Sequence, residues 1–317
     1  LAALGALALL AVLAAATLEI LQAQREDEGV APPAESERVE IGEGAISVLR
    51  FGSRDAPAVV VVPGTAAWGG FWASAARGLS AAGFSVFAVD LPPFGFSDRP
   101  ASADYSRAAQ AERLSRLILA LKLRKPVVLA HSFGAGAAVE LAMRHGDQLG
   151  GLALVDGALA LGAQDSPWAK AAFGHEIFAR AAVDGVLVNP WLTRRLLAAL
   201  LARPEAATPE LVATLQRPYA RPGTSAAYAQ WLPSLLFVDR HALSADPAHY
   251  AALKLPVALI WGGSDSVTPL AQGERLARLI PGATLDVLPG LGHIPHIEDE
   301  AAFLGAAVRR LREMNPM

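Results

Sequence analysis

The chain has 317 residues, 53% hydrophobic and 18% charged, with 27 Lys and Arg against 30 Asp and Glu for a net charge of −3. This balance excludes a disordered or solvating chain and leaves no basic footprint for nucleic acid. Cysteine is absent, which excludes a disulfide framework, a thiolate zinc site, a cysteine nucleophile and a lipid anchor on cysteine.

Residues 1–18 read LAALGALALLAVLAAATL and hold no charge. As a helix at ~1.5 Å per residue they would reach about 27 Å, close to the hydrocarbon thickness of a bilayer. A cleaved signal, a retained membrane anchor and a helix packed on protein are the three readings. Length favours the anchor, and with it a membrane-bound or exported enzyme; a cytoplasmic one stays open. Ala2/Ala6 and Ala11/Ala15 are small residues at helical spacing, which fits a helix contact in a homo-oligomer. Between Glu19 and Glu40 seven acids face Arg25 and Arg38, and Pro32 and Pro33 interrupt the run. We expect an apolar helix over 1–24 and a solvated acidic linker over 25–37.

Alternating strands and helices follow. Val39 to Phe51 predicts one or two strands turning at Gly42 and Gly44. AVVVV over 58–62 is apolar and β-branched, as a strand buried on both faces requires. A helix over 71–82, a strand over 84–91 and an amphipathic helix over 105–123 come next, the last with Arg107, Glu112, Arg113 and Arg116 on its polar face. A strand over 126–130, a helix over 133–145 and a strand over 152–156 precede a long interruption. The pattern resumes with a strand at 256–261, a helix at 269–280, a strand at 284–288 and a closing helix at 298–314. Repeated β-α-β units predict an α/β fold: a mostly parallel twisted sheet with helices on both faces.

The interruption, 160–253, reads as helical. It holds three of the six Trp and three of the four Tyr. Inserted between core strands, such a block is placed to roof the strand ends where α/β sheets bind ligands. The domain reading is therefore a core of 38–159 and 254–317 with a helical cap of 160–253.

The chemistry centres on VVLAHSFGAG, residues 127–136. A buried strand runs into Ser132 and a helix starts at once. Small neighbours, Ala130, Gly134 and Gly136, suit a strained turn that exposes a nucleophile. The free N–H groups of the helix start suit a developing oxyanion. Asp265 lies just past one later strand and His293 just past the next. The order Ser132, Asp265, His293 is that of a serine nucleophile elbow, and parallel strand ends let distant residues converge. His293 would take the proton of Ser132, and Asp265 would fix the imidazole tautomer.

In these motifs the chain resembles the α/β-hydrolase superfamily, from about residue 38 to the C-terminus. Pro63-Gly64-Thr65 after the first buried strand, the Asp90–Asp98 loop and Gly292-His293 with Glu298 fit the same pattern. The resemblance implies an oxyanion hole made by the N–H groups of Thr65 and Phe133. It also implies a cap like that of the branch with meta-cleavage C–C hydrolases, haloalkane dehalogenases and epoxide hydrolases. Two departures stand out: Ala130 replaces the first Gly of the elbow, and Pro63 replaces a His. Ser132 in place of an Asp nucleophile sets aside the dehalogenase and epoxide hydrolase chemistries.

Other candidates read as structural. Asp156, also past a strand end, is the alternative acid by the resemblance, behind Asp265. His131 is expected to line the pocket or pack, His296 to bond near the closing helix, and His145 to cap its helix. Asp90 and Asp98 are expected to hold a loop, and Arg217 to be solvated. No metal ligand cluster and no cofactor fingerprint appears. The expected activity is hydrolysis of an apolar or medium-sized carboxylic ester through an acyl-enzyme. Its partner is that small-molecule ester, since the cap is near-neutral, with eight basic and seven acidic residues. The alternatives are a C–C hydrolase and a non-catalytic ligand-binding homologue.

Overall fold

The structure, a computed structural model, describes residues 2–161, 166–237, 239 and 241–314, with side chains at Leu13 and from 16 onward. Its strands are β1 (Ser36–Glu40), β2 (Ala45–Phe51), β3 (Ala58–Val62), β4 (Ser85–Val89), β5 (Val127–His131), β6 (Gly151–Val155), β7 (Val257–Gly262) and β8 (Thr284–Leu288). The helices are α1 (Ala2–Glu28), α2 (Ala73–Ala81), α3 (Arg107–Ala120), α4 (Gly134–His145), α5 (Pro167–Phe173), α6 (Glu176–Ala182), α7 (Thr193–Ala199), α8 (Pro209–Gln216), α9 (Thr224–Leu236), α10 (Leu270–Leu279), α11 (Pro295–Glu298) and α12 (Glu300–Met314).

One eight-stranded sheet runs in the order β1-β2-β4-β3-β5-β6-β7-β8. β1 and β2 form an antiparallel hairpin through Gly42 and Gly44, both at positive φ, and β2 pairs antiparallel to β4. All later pairings are parallel. The carboxyl ends of β3, β5, β6 and β7 therefore share one edge.

The valine run of β3 explains the two-sided core. Successive side chains alternate faces. Val60 and Val62 pack with Leu114, Leu117 and Val139 of α3 and α4. Val59 and Val61 pack with Trp72, Leu79, Phe303 and Leu311 on the side of α2 and α12. Each fully buried valine contributes about 1.5–3 kcal/mol relative to exposure.

α3 departs from the expected polar face. Arg113 is only 2% exposed, where it ion-pairs with Glu43 at 3.1 Å and donates to the Asp104 carbonyl. Arg107 is half-buried and donates to Leu159 O and Ser244 Oγ. Both cations satisfy loop acceptors instead of facing water. His145 likewise does not cap α4; its Nε2 lies 2.8 Å from Glu112 of α3 and ties the two helices together.

The described residues of the inserted block form short helices joined by turns and loops, α5 to α9 among them, and no strand. Phe94, Tyr105, Tyr219, Tyr228 and Trp231 form a third apolar cluster between it and the sheet edge.

The N-terminal expectation needs correction. Among the described residues no helix is long and apolar enough to cross a membrane. Alanine is weakly lipophilic, and the second half of α1 is charged and engaged with the cap. The helix continues to Glu28, so residues 25–28 are not linker. Gln22 donates to Tyr219 O and Arg25 to Val188 O. Glu26 accepts from Gly223 N, Ser225 N and Ser225 Oγ at 2.7–2.9 Å. Arg217 donates to Ala31 O and lies over the Phe96 ring, so it is not merely solvated. The Ala2/Ala6 and Ala11/Ala15 pairs fall outside the described side chains.

Candidate active site

Ser132 sits at the end of β5 with φ +49°, in the left-handed region that L-residues rarely adopt. Such a turn stores on the order of 1–3 kcal/mol, which the surroundings must sustain. The Ser132 N–H donates to Val155 O of β6, and its carbonyl accepts from Ala135 and Ala158. The small residues have clear reasons. A Cβ on Gly134 would come within 2.4 Å of Pro63 O, and one on Gly136 would meet the Arg107 guanidinium at 2.7 Å. Ala130, in place of glycine, is accommodated with no exposure.

His293 Nε2 lies 2.8 Å from Ser132 Oγ, and His293 Nδ1 lies 2.9 Å from Asp265 Oδ2. All three residues are buried. Asp265 Oδ1 accepts from Val267 N and Thr268 N, and the Thr268 hydroxyl reaches Oδ2 at 2.5 Å. Burial pushes the Asp265 carboxyl up, but the bond and charge of His293 together with Thr268 bring it down to about 2. An ionised Asp265 requires hydrogen on Nδ1 of His293, which leaves Nε2 free to accept from Ser132.

The loop bearing His293 is clamped. Its N–H donates to Leu200 O of the cap. Glu298 accepts from Gly292 N and Arg203 N at 2.8 and 3.0 Å, so the acid ending the Gly-His motif joins loop to cap.

Gly64 brings the next loop against the nucleophile: a Cβ there would lie 2.9 Å from Ser132 Cβ. Among the described residues, the N–H groups of Thr65 and Phe133 are donated to no protein acceptor. Phe133 precedes α4, where free N–H groups are expected.

The remaining candidates separate clearly. Asp90 holds its loop by accepting from Gly69 N and Phe96 N, both at 2.7 Å; burial raises its carboxyl to about 6 despite those bonds. Asp98 accepts from Arg38 and Ala45 N. The His296 ring forms no local hydrogen bond: among the described residues neither ring nitrogen has a partner, and the ring stacks on Trp72 with centroids 3.6 Å apart. Burial, with His131 and His293 nearby, holds it well below the usual imidazole range.

Two further residues stand against the pair of Asp265 and His293, Thr268 by geometry alone and Asp156, the alternative acid of the sequence, beside it. Thr268 was not marked by any motif, and its hydroxyl approaches Asp265, the Asp156 carbonyl and His293 Nδ1. Asp156 is fully buried beside the pair. One ligand atom from each of Asp156, Asp265 and His293 lies within 4.8 Å of the others. The Nδ1 of His293 already bonds Asp265 and its other nitrogen faces Ser132.

A cleft of about 210 Å³ opens beside Phe133, lined by Tyr105, Arg107, Gln110, Pro233 and Phe237. The Phe133 ring meets Trp231 edge-on at 5.2 Å, and Phe94 meets Trp231 at 4.7 Å. A separate cavity of about 560 Å³, lined by Lys125, Met143, Leu149 and Leu255, lies at the opposite edge of the sheet.

Comparison with known proteins identifies the family of the fold. A pimeloyl-[acyl-carrier protein] methyl ester esterase of Chromobacterium violaceum is 30% identical over 80% of this chain and 94% of its own. A 2-hydroxymuconate semialdehyde hydrolase of Pseudomonas putida is 29% identical over 83% of this chain and 85% of its own. The crystal structure of a bacterial membrane phospholipase A superposes with a TM-score of 0.70 at 24% identity, covering 100% of this chain and 96% of that one. The family model for the alpha/beta hydrolase fold matches residues 57–300, and the chain belongs to that family.

Proposed function

We propose that the protein is a serine hydrolase that cleaves carboxylic esters through an acyl-enzyme. The observation that carries this reading is the 2.8 Å contact of Ser132 Oγ with His293 Nε2, backed by Asp265. His293 takes the Ser132 proton as Oγ attacks the ester carbonyl. The carbonyl oxygen becomes an anion that the Thr65 and Phe133 N–H groups receive. His293 then returns the proton to the departing alcohol. Water, activated by the same imidazole, releases the acid. The aromatic roof of Phe94, Phe133, Tyr228 and Trp231 supports an apolar or medium-sized substrate.

The test is turnover of a p-nitrophenyl ester series from acetate to palmitate by the wild type and Ser132→Ala. A rate that peaks at one chain length and disappears in the variant is expected. No turnover of any ester by the wild type would sink this reading. The likeness to the 2-hydroxymuconate semialdehyde hydrolase favours a second one, hydrolytic C–C cleavage of a vinylogous diketone by the same residues. Cleavage of such a diketone without ester turnover would establish it.

A further inference from the structure

Asp156 has features that the relay of Ser132, His293 and Asp265 does not use. It lies one residue past β6 with φ +45°, a conformation a glycine would adopt at lower cost. Its Oδ1 accepts from Gly262 N at 2.8 Å. Its Oδ2 is buried with no donor among the described residues. The carboxyl within reach is that of Asp265, which is ionised and can only accept.

We propose that Asp156 and Asp265 hold one proton and one negative charge between them, with Asp156 the neutral partner donating its Oδ2–H to Asp265. Asp156 is then a positioning residue for the His293 base. The inference rests on the serine-hydrolase reading of the site.

Two adjacent buried carboxylates cannot both ionise at low cost. The Asp156 carboxyl feels the charges of Asp265 and Glu298 and lies within 4.8 Å of the facing atoms of Asp265 and His293, while the Thr268 hydroxyl meets its backbone carbonyl. Burial and the charge of Asp265 hold the Asp156 carboxyl well above the usual range, whereas Asp265 is held low. The proton therefore resides on Asp156. It fills the vacant role at Oδ2, since a protonated carboxyl is a donor. Asp265 then has its Oδ2 turned toward His293 by Thr268 and Asp156 together. A corollary follows: when Asp265 is neutralised, the shared negative charge moves to Asp156, still close to His293.

The experiment follows the rate of Ser132 labelling by a fluorophosphonate against pH, which reads nucleophile activation without the natural substrate. Asp156→Asn keeps an Oδ1 for Gly262 and an N–H for Asp265, and is expected within about threefold of wild type. Asp156→Val is expected at least tenfold slower. Its profile should shift to higher pH, because an Asp265 without that donor stabilises the imidazolium more strongly. Asp265→Asn should retain part of the rate, and Asp156→Asn/Asp265→Asn should lose at least a further tenfold. A double variant equal to Asp265→Asn would overturn the proposal, as would Asp156→Asn as slow as Asp156→Val.

Infrared difference spectra near pH 7.5 cover the case of a misfolded variant. A protonated carboxyl band in wild type that is missing from folded Asp156→Asn is expected, and a wild type without that band refutes the proposal. No labelling of wild-type Ser132 would count against the serine-hydrolase reading, while the infrared band still decides where the proton lies.

Discussion

His131 Nε2 lies 2.8 Å from the backbone carbonyl of His293, which ties the strand before the nucleophile to the loop that carries the base. Burial, then the neighbouring His293, holds the His131 imidazole down to about 3. His131 is therefore neutral near pH 7, and its hydrogen sits on Nε2, because a carbonyl can only accept. The bond fixes His293 at hydrogen-bonding distance from Ser132. Replacing His131 by Phe keeps the packing against Trp72 but removes the donor. We expect kcat for an ester to fall about 10–100-fold with KM within threefold, as when a misplaced group weakens the transition state alone. His131→Gln should recover part of the loss. A kcat for His131→Phe equal to wild type would show that the bond does not position the base.

Much of this arrangement is legible in the sequence, for a physical reason. Ser132, Asp265 and His293 each follow a short apolar strand, and parallel strands of one sheet must end on a common edge. Proximity of the three therefore follows from topology without any side-chain detail. The parts not legible are those set by packing. Arg107 and Arg113 occur at polar spacing on α3, but the loops around them offer carbonyls and Glu43, so the polar face turned inward. His296 and Thr268 carry no motif, and their roles come from what the folded loops place beside them. Residues 25–28 read as acidic linker because the backbone donors that receive Glu26, at Gly223 and Ser225, lie about 200 residues away.

Gly64 tests the oxyanion loop without adding or removing a titratable group. Its position leaves no room for a methyl, which would meet His131 Nδ1 and Ser132 Cβ, both at 2.9 Å. The loop would have to retreat and carry the Thr65 N–H with it. Losing one oxyanion donor costs on the order of 10²–10³ in kcat. We expect Gly64→Ala to lose at least tenfold in kcat, with fluorophosphonate labelling of Ser132 slowed in parallel. Full activity would remove Thr65 from the oxyanion hole.

Glu26 holds α1 to the cap through three hydrogen bonds to Gly223 and Ser225. Bonds to a charged acceptor contribute about 1.5–3 kcal/mol each at most, and those at the surface contribute less. Glu26→Ala should free the second half of the helix locally while leaving the sheet intact. Amide hydrogen exchange over residues 19–28 should then quicken at least tenfold, with exchange in β5 and β6 unchanged. Equal protection in the variant would mean that apolar contacts alone seat the helix.

Asp184 gives the same contact a pH dependence. It is buried under α1, its Oδ1 lies 2.5 Å from Ser225 Oγ, and among the described residues its Oδ2 has no partner. Burial raises its carboxyl to about 6, and Glu26 and Glu19 of the helix push in the same direction, against Ser225 and Arg180. The unfolded chain has the ordinary value of about 3.9. A carboxyl raised on folding favours the folded state fully below the unfolded value. That contribution fades as the pH rises through about 6, where the folded protein must ionise a buried group. Asp184→Asn removes the ionisation and keeps an oxygen for Ser225. We expect it to stabilise the protein at pH 8 by about 1–2 kcal/mol, allowing for screening by nearby water. At pH 4 it should change little, since Asp184 is already neutral there. Urea unfolding at the two pH values measures the difference directly. Equal effects at pH 4 and pH 8 would show that Asp184 does not titrate in this range, and that the clasp between α1 and the cap is insensitive to pH.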